Sequence, residues 1–189
     1  MKYVIVVDMQ KDFVTGPLGS PEAQLAARFI AEELPKYCSK DTALIFTQDT
    51  HYNDYLNTVE GQKLPVPHCV LGTEGWEIID ELDGIGEGFY IPSVLPFCNE
   101  RGRVFKETFG SLDLVNLLYH LDGCGRTSVD EIVVMGVCTG ICVISNVMLL
   151  KAAFPNVPIK VVSAGCACIS KETHENALKA MELCHIDIV

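Results

Sequence analysis

The chain lacks any apolar run of the roughly 18 residues needed to span a bilayer, although 49% of its 189 residues are hydrophobic. That absence argues for a folded, soluble chain with a buried core. Basic clusters are missing too: 14 Lys and Arg are scattered against 25 Asp and Glu, a formal net charge of -11. Nucleic acid and anionic membrane are thereby disfavoured as partners, and a small molecule is the expected one. No Cys-x-x-Cys pair occurs, so a structural zinc ribbon has no support. The N-terminus "MKYVIVVDMQKDF" has a Lys and a short apolar stretch, but Asp8 and Asp12 interrupt it and no small-residue cleavage site follows, so a cytoplasmic location is expected. Nine cysteines, an odd number without repeated spacing, then read as reduced thiols, most of them small buried hydrophobes.

What is present alternates between two periods. "YVIVVD" (Tyr3 to Asp8), "ALIFTQD" (Ala43 to Asp49), "EIVVMG" (Glu131 to Gly136) and "IKVVSAG" read as buried strands, "VFK" as part of a short one, and "IKVVSAG" as the strand that closes the sheet. Between them, "SPEAQLAARFIAEELPKY", "SLDLVNLLYHL", "ICVISNVMLLKAAF" and "SKETHENALKAMEL" read as helices, with Ser and Thr at capping positions and Pro21 in the first turn. The expectation is α/β: a single domain over 1–189, a three-layer α/β/α arrangement with an open, mostly parallel sheet covered on both faces. Thr50 to Gly102 is rich in Pro, Gly and His with little periodicity, a length of irregular chain that usually serves function.

Ligands of open α/β sheets sit beyond the carboxyl ends of the strands. Asp8, Asp49 and Cys142 all fall there. A helix starting near Thr139 to Cys142 would favour a thiolate at Cys142, lowering its pKa, and its first N–H groups would receive an oxyanion. Asp8 is the candidate base, and Lys106 the cation that keeps carboxylate and thiolate compatible. Cys138 is expected to matter through its backbone, while Cys166 and Cys168 in "GCAC" imply no chemistry.

These residues carry a resemblance. "DMQKDF" with Asp8, "FKETFGS" with Lys106 and "GVCTGICV" with Cys142 resemble, in order and spacing, the motifs of the isochorismatase-like cysteine hydrolase superfamily. The resemblance implies attack of Cys142 on a carbonyl, proton transfer through Asp8, charge stabilisation by Lys106 and hydrolysis of an acyl-thioester. It also implies a cis peptide between Val137 and Cys138, which aims the Cys138 N–H at the oxyanion beside that of Cys142. "QDTH" and "PVPHCVLGTEGW" are similar to the nicotinamidase (pyrazinamidase) branch. That similarity implies a divalent metal (zinc, manganese or iron) on Asp49, His51 and His68, with Glu60 as a further candidate ligand. The metal would anchor the pyridine nitrogen of nicotinamide while Phe13, Val137 and Cys138 contact the substrate. Pro65 stands where relatives often place an aromatic residue, and Gly140 where they often place a polar one. Another small amide or ureido compound is therefore the alternative substrate. A catalytically silent binding protein and a Cys138–Cys142 redox module are the alternatives from other classes. The resemblance and the apolar content also suggest a homo-oligomer.

Overall fold

The computed structural model describes residues 1–85, 98–99, 101–122 and 129–189. Cys124 and part of the long middle segment lie outside them. β1 (Lys2–Val7) leads through α1 (Lys11–Val14) and α2 (Pro21–Tyr37) to β2 (Thr42–Asp49). Short helices α3 (Val59–Lys63) and α4 (Asp80–Asp83) punctuate the middle before β3 (Arg103–Lys106). The second half runs α5 (Leu112–Leu121), β4 (Glu131–Val137), α6 (Ile144–Ala153), β5 (Ile159–Ala167), α7 (Lys171–Leu183) and β6 (Asp187–Ile188).

Among the described residues the strands form one sheet, ordered β3-β2-β1-β4-β5-β6, with every pairing parallel. The β-branched runs explain the centre: Tyr3 to Val7 and Ile132 to Met135 are fully buried, as strands covered on both faces must be. Crossovers of one hand that travel in opposite directions deposit their helices on opposite faces. The step from β1 to β2 goes one way and those through α5, α6 and α7 go the other. Accordingly α2 packs on β4 and β5 beside α1 and α4, whereas α5 touches α6 and α6 touches α7.

Helix starts follow local chemistry. Ser20 accepts from the Ala23 N–H at 3.0 Å, with Pro21 in the first turn. Ser111 caps α5 through the Leu114 N–H, and Ser170 and Thr173 form a reciprocal capping box at α7. One expectation is corrected at the sheet edge. The strand containing "IKVVSAG" extends to Ala167 and does not close the sheet; β6, two residues long, pairs beyond it. An element that short shows no period of its own.

The centre of the sheet depends on one glycine. Gly136 has φ 128°, and a Cβ there would meet the Val7 carbonyl oxygen and other Val7 backbone atoms well inside contact distance. Only a residue without Cβ lets β1 and β4 approach here and bring their ends together. Gly136→Ala is expected to destabilise the fold by about 3 kcal/mol, read as a lowered urea midpoint.

Candidate active site

Four strand ends meet at the carboxyl edge between β1 and β4, where the strand order reverses. Asp8 immediately follows β1 in left-handed backbone, φ 50°. Its side chain accepts from the Thr47 hydroxyl at 2.6 Å and its N–H reaches the Thr47 carbonyl at 3.2 Å. Lys106, at the end of β3, places Nζ 2.7 Å from Asp8 Oδ2, 2.9 Å from Asp49 Oδ1 and 3.7 Å from Cys142 Sγ. Asp8, Asp49, Lys106 and Cys142 are all buried. The three residues expected to do the chemistry are thus brought into one cluster, although they are far apart in sequence.

The peptide between Val137 and Cys138 is cis. From there the chain turns through a wide π-helical turn, Thr139–Val143, which continues as α6. Asn146, buried on α6, donates to the Cys142 carbonyl at 2.8 Å and to the Phe109 carbonyl at 3.1 Å, and accepts from the Ser111 N–H at 2.9 Å. It ties the segment after Lys106 to the turn that carries Cys142. Its role has no signal in the sequence beyond an Asn in an apolar helix.

The electrostatics correct one expectation. A helix start was expected to depress the Cys142 thiol. Burial instead pushes it well above the ordinary thiol range; Lys106 opposes the shift, and Asp8 and Asp49 add to it. The Asp8 carboxyl is likewise raised, by burial first and by Asp49, against the pull of Lys106. Asp49 moves the other way: burial would raise it, but Lys106 and the neighbouring imidazoles of His51 and His68 outweigh that and leave it well below the usual carboxylate range. Lys106 stays firmly protonated, since its buried cost is exceeded by the pull of Asp8, Cys142 and Asp49. Burial thus favours the protonated thiol at Cys142, beside the Lys106 ammonium and an Asp8 carboxyl whose proton affinity is raised.

Asp49 also faces a second cluster. The ligand atoms of Asp49, His51, Glu60 and His68 all lie within 4.8 Å of one another. His51 Nε2 is 3.0 Å from Asp49 Oδ2 and 3.6 Å from Glu60 Oε1, and His68 Nε2 is 3.7 Å from each of the same two oxygens. Ligands at 2.0–2.2 Å around a tetrahedral ion stand about 3.4 Å apart, so these spacings suit a divalent metal. Two further observations agree. His51 Nε2 is buried without an aligned hydrogen-bond partner. His68 Nδ1 lies 2.8 Å from the Val66 carbonyl, which places the proton on Nδ1 and frees Nε2 for a ligand. Glu60 joins the trio at N1–N2 of α3, whose Thr58 cap fixes the local turn.

Local structure holds these ligands. The Gln10 side chain donates to the Asp49 carbonyl at 2.8 Å and accepts from the Asp49 N–H at 2.8 Å, so it clamps that backbone from both sides. The His51 N–H donates to the Cys69 carbonyl, and Cys69, at φ 46°, donates its own N–H to Asp12 at 2.8 Å. Gln10 and Asp12 are the unassigned letters of "DMQKDF", and the structure makes both of them positioning residues.

A cavity of about 340 Å³ joins the two clusters, lined among others by Phe13, Asp49, Glu60, His68, Val137, Cys138 and Cys142. The Phe13 ring stands 5.3 Å from that of His68. Pro65 does not line it; the adjacent Leu64 does, together with Leu18, Phe109, Ile141 and Ile169. Cys168, expected to carry no chemistry, also lines the wall, as Cys138 does.

If the four-residue cluster holds zinc, Gln10→Ala should lower zinc affinity by roughly 10- to 100-fold with the fold retained, as measured by competition against a chromophoric chelator.

Comparisons with known proteins agree with this geometry. The family model described as Isochorismatase domain matches residues 2–88 and 99–189. A nicotinamidase of Schizosaccharomyces pombe is 25% identical over 209 residues, covering 98% of this chain and 91% of the relative. The pyrazinamidase of Pyrococcus horikoshii, solved in complex with zinc, superposes with a TM-score of 0.74 at 25% identity, covering 100% of this chain and 98% of that one. The pyrazinamidase/nicotinamidase of Streptococcus mutans gives 0.79 at 24% identity with 100% of both chains covered, a likeness of fold. With both clusters at the strand edge and a family match over nearly its whole length, the chain belongs to the isochorismatase family.

Proposed function

We propose that this protein is a cysteine amidase acting on a small aromatic carboxamide, with nicotinamide as the leading substrate and nicotinate and ammonia as products. The observation that carries the reading is the shared residue Asp49: one oxygen faces Lys106 in the thiol cluster and the other faces His51 in the imidazole cluster. A ligand that spans the cavity therefore has a nucleophile at one end and a metal-type anchor at the other. Relatives named nicotinamidase and pyrazinamidase support the same choice.

The chain's own groups supply the steps. Burial favours the protonated form of the Cys142 thiol, so it needs a base at the moment of attack, and Asp8 is placed for that role because its Oδ2 lies 2.7 Å from the same Lys106 ammonium that stands 3.7 Å from Sγ. As Sγ bonds to the amide carbon, Asp8 takes the proton, and Lys106 at 3.7 Å balances the thiolate charge. The N–H groups of Cys138 and Cys142 are assigned to the developing oxyanion. Asp8 then returns the proton to nitrogen as ammonia leaves, and deprotonates the water that hydrolyses the thioester. Asp49, His51, His68 and Glu60 would hold a divalent ion, zinc in the first instance, which when bound would supply a Lewis-acid anchor for a ring nitrogen. Phe13 and Val137 flank the ring, and the mainly apolar wall of Leu18, Leu64 and Ile169 selects an uncharged substrate. We assign residues 1–189 to one catalytic domain.

Ammonia release from nicotinamide, pyrazinamide and a panel of non-aromatic amides and ureido compounds tests the assignment. Nicotinamide turnover is expected, with Cys142→Ala and Asp8→Asn each losing at least about a thousand-fold in kcat. Activity on a non-aromatic amide alone would overturn the substrate, and turnover untouched by complete metal removal would overturn the anchor.

A further inference from the structure

A second sulfur site adjoins the nucleophile. Val137 and Ala167 are the last pair in the parallel register of β4 and β5, and Cys138 and Cys168 are the residues that follow them at the two strand ends. Neighbouring parallel strands run about 4.8 Å apart, inside the Cα separation of roughly 4.4–6.8 Å that a disulfide accepts. Each thiol is the first influence on the other's proton affinity, and both residues line the cavity. Cys168 also borders a neighbouring cleft with Ser170, Lys171 and His174.

The surroundings treat the two sulfurs differently. The donor groups that bear on Cys168 are the Cys138 thiol, the Thr173 side chain and the backbone N–H groups of Gly140 and Ile169. It lies just before the Ser170 cap of the 13-residue α7, at the positive end of that helix. Those donors, the Cys138 thiol first, hold the Cys168 thiol down to about 5 against the cost of burial. Cys138 is raised, first by the neighbouring Cys168 and then by burial, and so keeps its proton. Gly140 permits the arrangement, since a Cβ there would stand 3.3 Å from the Cys168 sulfur.

We propose that Cys168 and Cys138 form a peroxide-sensitive pair in the cavity wall, Cys168 attacking and Cys138 resolving, whose disulfide shuts off the Cys142 site. The Cys168 thiolate attacks one oxygen of hydrogen peroxide; an S–O bond forms, the O–O bond breaks and hydroxide leaves. The Cys138 sulfur then attacks the sulfenic sulfur, the S–S bond forms, and the departing hydroxide takes the Cys138 proton as water. The two sulfurs give up two electrons in all, and the peroxide accepts them. The link itself rests on the paired strand ends and on the cavity wall that both residues share. Loss of activity rests in addition on the amidase reading, through the N–H of Cys138 at the oxyanion and the altered wall beside Cys142.

Reduced protein treated with a small molar excess of hydrogen peroxide, alkylated and mapped by peptide mass, should yield a Cys138–Cys168 linked peptide that dithiothreitol dissolves. In Cys138→Ala, dimedone should label Cys168, and in Cys168→Ala the peroxide-dependent link should vanish. On wild type, amidase activity should fall in step with the linked fraction and return with dithiothreitol. Full alkylation of both thiols after peroxide overturns the pair, as does sulfinic acid at Cys168 with Cys138 free. A linked peptide with unchanged activity overturns the shut-off. The mapping needs no substrate, so a failure of the amidase assignment remains distinguishable from a failure of the pair.

Discussion

Lys106 is the residue on which the rest of the site depends. A buried ammonium is tolerated only with close anionic partners, and a buried carboxylate only with a cation or donors. Lys106 lies within 3 Å of one oxygen of Asp8 and one of Asp49, while the other face of Asp49 is met by imidazoles. Two buried carboxyl groups share one ammonium group, and Asp49 stands between the groups that handle protons and the groups suited to a cation. Removing Lys106 would strand two carboxylates, so its role in folding and its role in chemistry are not separable.

The topology makes this junction available. β1, β2 and β3 lie to one side of the crossing point and β4, β5 and β6 to the other, so Asp8, Asp49, Lys106 and Cys142 arrive from both halves of the chain at one edge. Gly136 lets the two central strands close on each other there. Polar residues with no role in bond making then hold the ends in place: Gln10 clamps Asp49, Asp12 holds the turn after His68, and Asn146 joins the Lys106 and Cys142 segments. The backbone near the site is thus held mainly by side chains, as it must be where the strand ladder has ended.

Much of this was legible in the sequence because its signals are local. β-Branched runs marked the buried strands, capping Ser residues marked the helix starts, and Asp8, Asp49 and Lys106 stood where strand-like runs stop. The Asp49 and His51 pair was legible because two residues apart in extended chain means one face. β6 was not, because two residues show no period. The direction of the Cys142 shift was misread because a helix start is a local feature, whereas enclosure by Asp8, Asp49 and the sheet is not. The place of Cys168 in the cavity wall was hidden for a similar reason: Cys138, which lines the same wall, is 30 positions away along the chain.

By itself, the sequence determined the strand and helix periods, the parallel α/β class, and which acids, thiols and imidazoles lie at strand ends, since each follows from residue type and short-range spacing. Only the tertiary structure decided how those groups share charge. Depth of burial, the register that brings Val137 beside Ala167, and the division of Asp49 between an ammonium and two imidazoles arise from contacts between distant segments, which residue order does not contain until the chain has folded.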